Sequence, residues 1–131
     1  METRITGRCA CGLISYECSE PAKFSLICQC RQCQRITGTG HSAQFAINAS
    51  SVVISGDVKT YELTSDAGNQ VQSAFCEKCG SPMYKTTSMA PELIVFHAAT
   101  LNNPEIFEPQ MVVYSSEGLP WDHIDPALSR K

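Results

Sequence analysis

The sequence of 131 residues predicts a mainly β domain of antiparallel sheets that bound metal holds together. Short runs of alternating or β-branched residues recur along the chain and are separated by turn-forming residues. Seven of the eight cysteines fall into three tight groups, a distribution that packing alone rarely produces. Helix signals are scarce, since the one short helical turn that follows Cys33 is broken by Gly38 and Gly40.

The predicted strands are short and follow one another with few residues between them. Turn signals separate neighbours, with Ser-Gly-Asp at residues 55–57 and Asp-Ala-Gly-Asn at residues 66–69. The helical turn after Cys33 covers residues 34–36. The strand-like runs cover residues 13–17, 24–28, 43–47, 51–54, 60–63, 70–75, 83–87, 92–98 and 110–114.

The chain length favours a single domain over residues 1–131, large enough for a real core but helped by metal. Residues 117–131 contain two prolines, a lone Trp121 and several charges, which predicts a C-terminal tail packed on the domain. We expect a monomer or a homodimer.

Charge and hydropathy exclude several function classes. A net charge of −3 with no basic run argues against nucleic acid as the partner. The longest apolar stretch, residues 93–101, is interrupted by His97 and is far shorter than the about 20 residues that span a bilayer. Because residues 1–4 do not resemble a signal peptide, we expect a cytoplasmic protein whose cysteines are not paired as disulfides.

The spacing of the cysteines is typical of zinc ligands. CxC and CxxC spacings let two sulfurs from one tight turn reach a single ion with tetrahedral geometry. The first and last groups supply the four ligands of a closed structural site if strand pairing brings them together. That predicted structural zinc has as its ligands Cys9, Cys11, Cys76 and Cys79.

The middle group supplies three thiolates, Cys28, Cys30 and Cys33, and so predicts a second zinc of a different kind. Zinc with three protein ligands keeps its fourth position for water or substrate, as catalytic sites do. Two alternatives remain open. Cys18 could complete this set as a fourth ligand, although a buried cysteine acting as a small hydrophobe is the favoured interpretation. Eight is also an even number, which would allow four disulfides.

Three sequence blocks, in order, resemble the glutathione-dependent formaldehyde-activating enzyme family, whose domain is also found in the centromere protein V group. The blocks are Gly-Arg-Cys-Ala-Cys-Gly at residues 7–12, the middle cysteines at residues 28–35, and Phe-Cys-Glu-Lys-Cys-Gly-Ser-Pro at residues 75–82. The chain departs from the family pattern at Gln29 (usually His), Gln34 (usually Arg), and Asn102 (usually Asp), and it lacks a late histidine after Pro109.

The resemblance implies a fold of several coiled antiparallel sheets, similar to the Mss4-like architecture, with a structural zinc on the outer cysteine pairs and a second zinc on the middle three. It also implies carbon–sulfur lyase chemistry on S-(hydroxymethyl)glutathione, which is made from glutathione and formaldehyde. A soft thiol suits the fourth position of a three-thiolate zinc better than water does.

Further residues complete this hypothesis. His41 is the imidazole nearest in sequence to the middle cysteines, so it is the candidate proton donor. Arg31 and Arg35 flank the middle group and are candidates for pairing with the carboxylates of glutathione. The rival hypothesis is a non-catalytic zinc-binding module that recognises a protein.

Overall fold

The computed structural model describes residues 4–131, which form a mainly β fold with one α-helix and short 3₁₀ turns. The helix α1 covers Arg31–Thr37, and the 3₁₀ turns cover Ala49–Ser51, Ala98–Thr100, Pro104–Ile106 and Ser115–Glu117. The strands are β1 (Ile5–Arg8), β2 (Ser15–Cys18), β3 (Phe24–Cys28), β4 (Ser42–Asn48), β5 (Val52–Ser55), β6 (Lys59–Thr64), β7 (Gln70–Phe75), β8 (Pro82–Thr87), β9 (Leu93–His97), β10 (Met111–Val113) and β11 (Ser129–Arg130).

The strands form two sheets. The smaller sheet has three strands in the order β1-β2-β5, and both of its pairs are antiparallel. The larger sheet has eight strands in the order β11-β10-β3-β4-β9-β8-β7-β6. Its pairs are antiparallel except at one edge, where β10 runs parallel to both β3 and β11.

An aromatic core joins the two sheets. Tyr16 of the smaller sheet stacks on Phe96 of the larger sheet with ring centroids 4.0 Å apart. Phe45 stacks on the same Phe96 ring, with centroids 5.5 Å apart. A Cβ added to Gly7 would lie 2.3 Å from the Tyr16 ring, so only glycine lets β1 pass this close. Tyr16 therefore packs the smaller sheet closely against the larger one, between Gly7 and Phe96.

The predicted mainly β fold is confirmed, and each of the nine predicted runs overlaps a strand. Strands β1 and β11 were not predicted, because Ile5–Arg8 contains a glycine and Ser129–Arg130 is only two residues long. The helix also begins earlier than predicted. Cys30 caps it by accepting from the backbone N–H of Cys33, and Gly38 in the left-handed conformation ends it.

Residues 117–131 lie against the edge of the larger sheet and against the N-terminal half of α1. Strand β11 pairs with β10, and the backbone N–H of Lys131 donates to the carbonyl of Val112 at 2.8 Å. The carbonyl of Glu117 accepts from the side-chain amide of Gln34 at 3.0 Å. No helix within residues 4–131 combines the length and the hydropathy required of a membrane span.

Candidate metal centres and the adjoining cavity

The four-cysteine cluster is built from two similar turns. Cys9 and Cys11 lie in the turn between β1 and β2, and Cys76 and Cys79 lie in the turn between β7 and β8. In each turn the first cysteine donates its N–H to a carbonyl five residues later, and its own carbonyl accepts from a glycine N–H. Both glycines, Gly12 and Gly80, have positive φ, the conformation that closes such a turn without strain.

The sulfur positions of this cluster fit a tetrahedral zinc. All four Sγ atoms lie within 4.8 Å of one another. The Sγ atom of Cys11 is 3.6 Å from that of Cys9 and 3.7 Å from that of Cys76. Sulfurs about 2.3 Å from a central zinc in a tetrahedron lie about 3.8 Å apart. The cluster could therefore bind a metal ion, and its donor set suits zinc.

Hydrogen bonds support negative charge on two of these sulfurs, those of Cys9 and Cys79. The backbone N–H of Ile14 donates to the Sγ atom of Cys9 at 3.3 Å. The hydroxyl and the backbone N–H of Ser81 lower the pKa of Cys79 to about 5. The same hydroxyl accepts from the N–H of Ala10 at 3.0 Å, which ties one turn to the other. Because the turns belong to different sheets, a metal bound here would join the smaller sheet to the larger one.

The three-cysteine cluster lies where β3 passes into α1. Cys28 ends the strand, Cys30 is the N-cap of the helix, and Cys33 is in its first turn. Their Sγ atoms lie within 4.8 Å of one another, so this cluster could also bind a metal ion. Among residues 4–131 no histidine or carboxylate joins the cluster, which leaves one tetrahedral position for an outside ligand.

N–H donors and a cation surround this second cluster. The backbone N–H of Cys33 donates to the Sγ atom of Cys30 at 3.3 Å, and the side-chain amide of Gln44 donates to the Sγ atom of Cys33 at 3.5 Å. Thiol hydrogen bonds from Cys28 and Cys33, with a smaller effect of the Lys85 ammonium, lower the pKa of Cys30. Of the three cysteines, Cys30 is therefore the one that loses its proton at the lowest pH.

A cavity of about 610 Å³ opens next to the C-terminal end of α1. The side chains of Cys28, Cys30 and Cys33 are not part of its lining. Thr37 lines the cavity and also contacts the backbone of the three-cysteine cluster. The Thr37 hydroxyl lies 3.0 Å from the carbonyl of Cys33 and 3.0 Å from the carbonyl of His41. The polar residues that line the cavity include Arg8, Thr37, His41, Ser81, His97 and Asn102.

Two histidines face this cavity in different environments. His97 is held by the buried Ser42, whose Oγ atom is 3.0 Å from its Nδ1 atom. Burial, with a contribution from the positive charge of Lys85, lowers the pKa of His97 to about 4, so the ring is neutral at pH 7. His41 is more open, and its Nδ1 atom lies 3.0 Å from both carboxylate oxygens of Asp122.

The two predicted arginines lie on the exposed surface of α1. Arg31 directs its guanidinium to the side-chain oxygen of Gln34, and its backbone N–H donates to the Glu117 carboxylate at 3.3 Å. Arg35 is exposed in the last turn of the helix. Of the arginines in the part of the chain that the structure describes, Arg8 is the one that lines the cavity.

Gln29 and Gln34, two of the residues that the sequence analysis singled out beside the middle cysteines, are both buried. Gln34 donates to the carbonyls of Gln29 and Glu117 at 2.9 and 3.0 Å. Gln29 donates to Asp122 at 3.3 Å. Gly118 packs so closely on the Gln29 amide that a Cβ at residue 118 would lie 2.9 Å from its Nε2 atom. Both glutamines therefore fasten the C-terminal residues to the helix.

Sequence reasoning missed several residues that surround the candidate sites. Asp122 lies in the predicted tail, and nothing in the local pattern links it to His41, 81 residues earlier. Gln44 and Lys85 lie in strands, where alternation indicates a sheet face but not a sulfur neighbour. Cys18 is buried in the hydrophobic core and belongs to neither cluster of the described residues.

Comparisons with known proteins agree with this geometry. A family model described as glutathione-dependent formaldehyde-activating enzyme matches residues 4–117. The fold is similar to the crystal structure of a Rhodobacter sphaeroides protein solved as a structural genomics target, with a TM-score of 0.60 and 20% identity. That match covers 79% of this chain and 96% of the other.

At that identity the structural likeness shows a shared fold and nothing further. No protein of curated function matches the sequence significantly. The family model, in contrast, covers most of the chain and includes both cysteine clusters. The chain therefore belongs to the glutathione-dependent formaldehyde-activating enzyme family.

Proposed function

We propose that this protein is a zinc-dependent carbon–sulfur lyase that makes or breaks adducts of a small thiol, such as glutathione, with formaldehyde or a related small aldehyde. The observation that carries the proposal is the cluster of Cys28, Cys30 and Cys33, which offers three sulfur donors and one open position. The closed four-cysteine cluster has no such position, so we assign it a structural zinc.

The donor set of the open cluster suits a thiol substrate. Zinc held by three thiolates supplies a soft fourth position at which a thiol is stabilised as its thiolate near neutral pH. In the direction of adduct formation, the thiolate sulfur forms a bond to the carbonyl carbon of the aldehyde, and the carbonyl π electrons move to oxygen. That oxygen must then gain one proton, and in the reverse direction it must lose one.

His41 is the residue that we assign to this proton transfer. It lines the cavity, and Thr37 connects its backbone to that of Cys33. With Nδ1 paired to Asp122, the Nε2 atom is the ring nitrogen left for a substrate. His97 lines the same cavity, but its lowered pKa leaves almost none of it protonated near pH 7 and makes the neutral ring a weak base, so it is poorly suited to this proton transfer.

Charged groups near the site suit an anionic thiol. Arg31 and Arg35 are exposed on the helix that carries Cys33, and we assign them to the carboxylates of glutathione. Lys85 is near enough to lower the pKa of Cys30 and His97 through its charge. This cation offsets part of the negative charge of the three sulfurs and of an added thiolate.

Metal analysis with and without glutathione tests the proposal. We expect two zinc ions per chain after purification under reducing conditions. Replacing zinc by cobalt gives a visible spectrum that reports on the sulfur ligands, and glutathione should change the signal of one of the two sites. The same protein should then form or cleave S-(hydroxymethyl)glutathione, followed by NMR of the hydroxymethyl group.

The Cys30→Ala variant provides the matched control. It should retain one metal ion, lose the response of the spectrum to glutathione, and lose lyase activity. Two zinc ions per chain with no response to glutathione in the wild-type protein would contradict the proposal, and would favour a binding module in which both metals are structural.

A further inference from the structure

The side chain of Asp122 lies against the His41 ring, although 81 residues separate the two in the sequence. Both carboxylate oxygens lie 3.0 Å from the Nδ1 atom of His41. The Asp122 side chain is 8% exposed and that of His41 is 29% exposed. The carboxylate is thus almost fully withdrawn from solvent while the imidazole keeps access to the cavity.

The position of Asp122 is fixed by its neighbours. The side-chain amide of Gln29 donates to its Oδ2 atom at 3.3 Å, and its own N–H donates to the carbonyl of Leu119 at 3.0 Å. Gly40 leaves the space that the carboxylate occupies, because a Cβ at that position would lie 2.3 to 2.5 Å from three side-chain atoms of Asp122. The side chain is therefore enclosed between the loop after α1 and the residue that separates Cys28 from Cys30.

We propose that Asp122 is a positioning residue for His41, an inference that rests on the proposed function. By accepting the Nδ1–H of the ring it holds the neutral imidazole in the tautomer whose Nε2 atom carries a lone pair. The match to the family model ends at residue 117, so this carboxylate comes from a part of the chain outside the match.

This arrangement lets one imidazole serve both directions of the reaction. When the adduct is cleaved, Nε2 takes the hydroxyl proton as the carbon–oxygen double bond forms and the carbon–sulfur bond breaks. When the adduct is made, the protonated ring returns that proton from Nε2 to the new alkoxide. Throughout, the Nδ1–H bond to Asp122 is kept, and the carboxylate stabilises the positively charged ring.

Nitrogen NMR of ¹⁵N-histidine-labelled protein tests the tautomer without reference to activity. Protonated and unprotonated ring nitrogens have well-separated ¹⁵N shifts, so the neutral His41 ring should show Nδ1–H and a bare Nε2. In Asp122→Ala, and in Gly40→Ala, which adds only a methyl group, the ring should shift toward the Nε2–H form. The His97 signals serve as an internal reference, because its partner Ser42 is unchanged.

Kinetics test the consequence for the reaction. In Asp122→Ala and Gly40→Ala we expect kcat to fall about 10- to 100-fold, part of the about 10²- to 10⁴-fold that a positioned acid or base contributes. KM should change little, because Asp122 does not contact the thiol. In Asp122→Asn the side-chain NH2 group can donate to Nδ1, so the ring should shift toward the Nε2–H form and kcat should fall, although the size and shape of the side chain are kept. Asp125→Asn, in the same segment, should match the wild type.

Unchanged His41 tautomers in both Asp122→Ala and Gly40→Ala would overturn the inference. A wild-type kcat in Asp122→Ala, measured on protein with full metal content, would overturn it as well. If the wild-type protein lacks lyase activity altogether, the proposed function fails, and the NMR measurement still decides whether Asp122 sets the tautomer.

Discussion

At the scale of single residues, His97 shows how burial decides what an imidazole can do. Its ring accepts from or donates to the buried Ser42 hydroxyl, and its backbone carbonyl accepts from the Thr100 hydroxyl at 2.7 Å. That hydroxyl in turn accepts from Tyr16 at 2.6 Å, which places His97 next to the contact between the sheets. A proton on the ring would be poorly solvated and would lie near Lys85.

His97 should make stability depend on pH. Its pKa is lowered from 6.5 to about 4, so between these values the unfolded chain binds a proton that the folded chain does not. Its contribution to folding is therefore complete above pH 6.5 and is lost as the pH falls. Between pH 7 and pH 5 we expect the free energy of unfolding to drop by about 2 kcal/mol from this residue.

The His97→Asn variant isolates that effect, because asparagine can still bond to Ser42 but does not titrate. Chemical unfolding at pH 7 and pH 5 should show a smaller loss of stability in this variant than in the wild type. Loss of zinc from protonated thiols affects both proteins, so the difference between them is the quantity to compare. Equal pH dependence would show that His97 is not the titrating group.

At the scale of elements, the cysteine turns were the most predictable part of the molecule. CxC and CxxC spacings fix the turn conformation locally, and Gly12 and Gly80 complete it with positive φ. The partner of each turn followed from counting ligands, since only two pairs and one triplet were available. Strand β11 and the parallel pairs of β10 were not predictable, because two- and three-residue strands carry no periodic signal.

The two clusters should respond differently to the loss of one sulfur. Cys79→Ala should prevent the four-cysteine cluster from holding the proposed zinc and unfold the protein, because a metal bound there would join the two sheets. Cys28→Ala should leave a folded protein, since hydrogen bonds of β3 with β4 and β10 hold this region without metal. Circular dichroism and zinc content measure both outcomes.

Cys18→Ala is the control for removing a buried cysteine as such. It should cost about 1 kcal/mol from lost packing and leave both metal ions in place. If Cys28→Ala unfolds the protein as fully as Cys79→Ala does, the middle cluster is structural and the open site does not exist.

At the scale of the whole molecule, residues far apart in sequence complete the candidate site. The residues of the three-cysteine cluster and His41 could be proposed from sequence because they lie within one short segment, residues 28–41. The contacts of Asp122 with Gln29 and Gly40 form only in the folded chain, so no local sequence pattern predicts them. We propose that residues 117–131 are part of the same domain, since they supply both β11 and Asp122.

Two truncations separate these roles of the C-terminal residues. Deletion of residues 126–131 removes β11 but keeps Asp122, so we expect a lower melting temperature with activity retained. Deletion of residues 118–131 also removes Asp122 and uncovers the buried amide of Gln29, so activity should fall together with stability. Both proteins should retain the proposed structural zinc, because the turn with Cys76 and Cys79 lies toward the opposite edge of the larger sheet and the turn with Cys9 and Cys11 belongs to the smaller sheet.

The comparison is made on melting temperature, zinc content and kcat for the two truncations and the full chain. A large loss of kcat in the longer truncation alone would agree with a role for Asp122 in holding His41. Equal loss of kcat in both truncations would mean that the C-terminal residues act through the pairing of β11 with β10. The site would then depend on the edge of the larger sheet, and the contact between Asp122 and His41 would be a consequence of that edge.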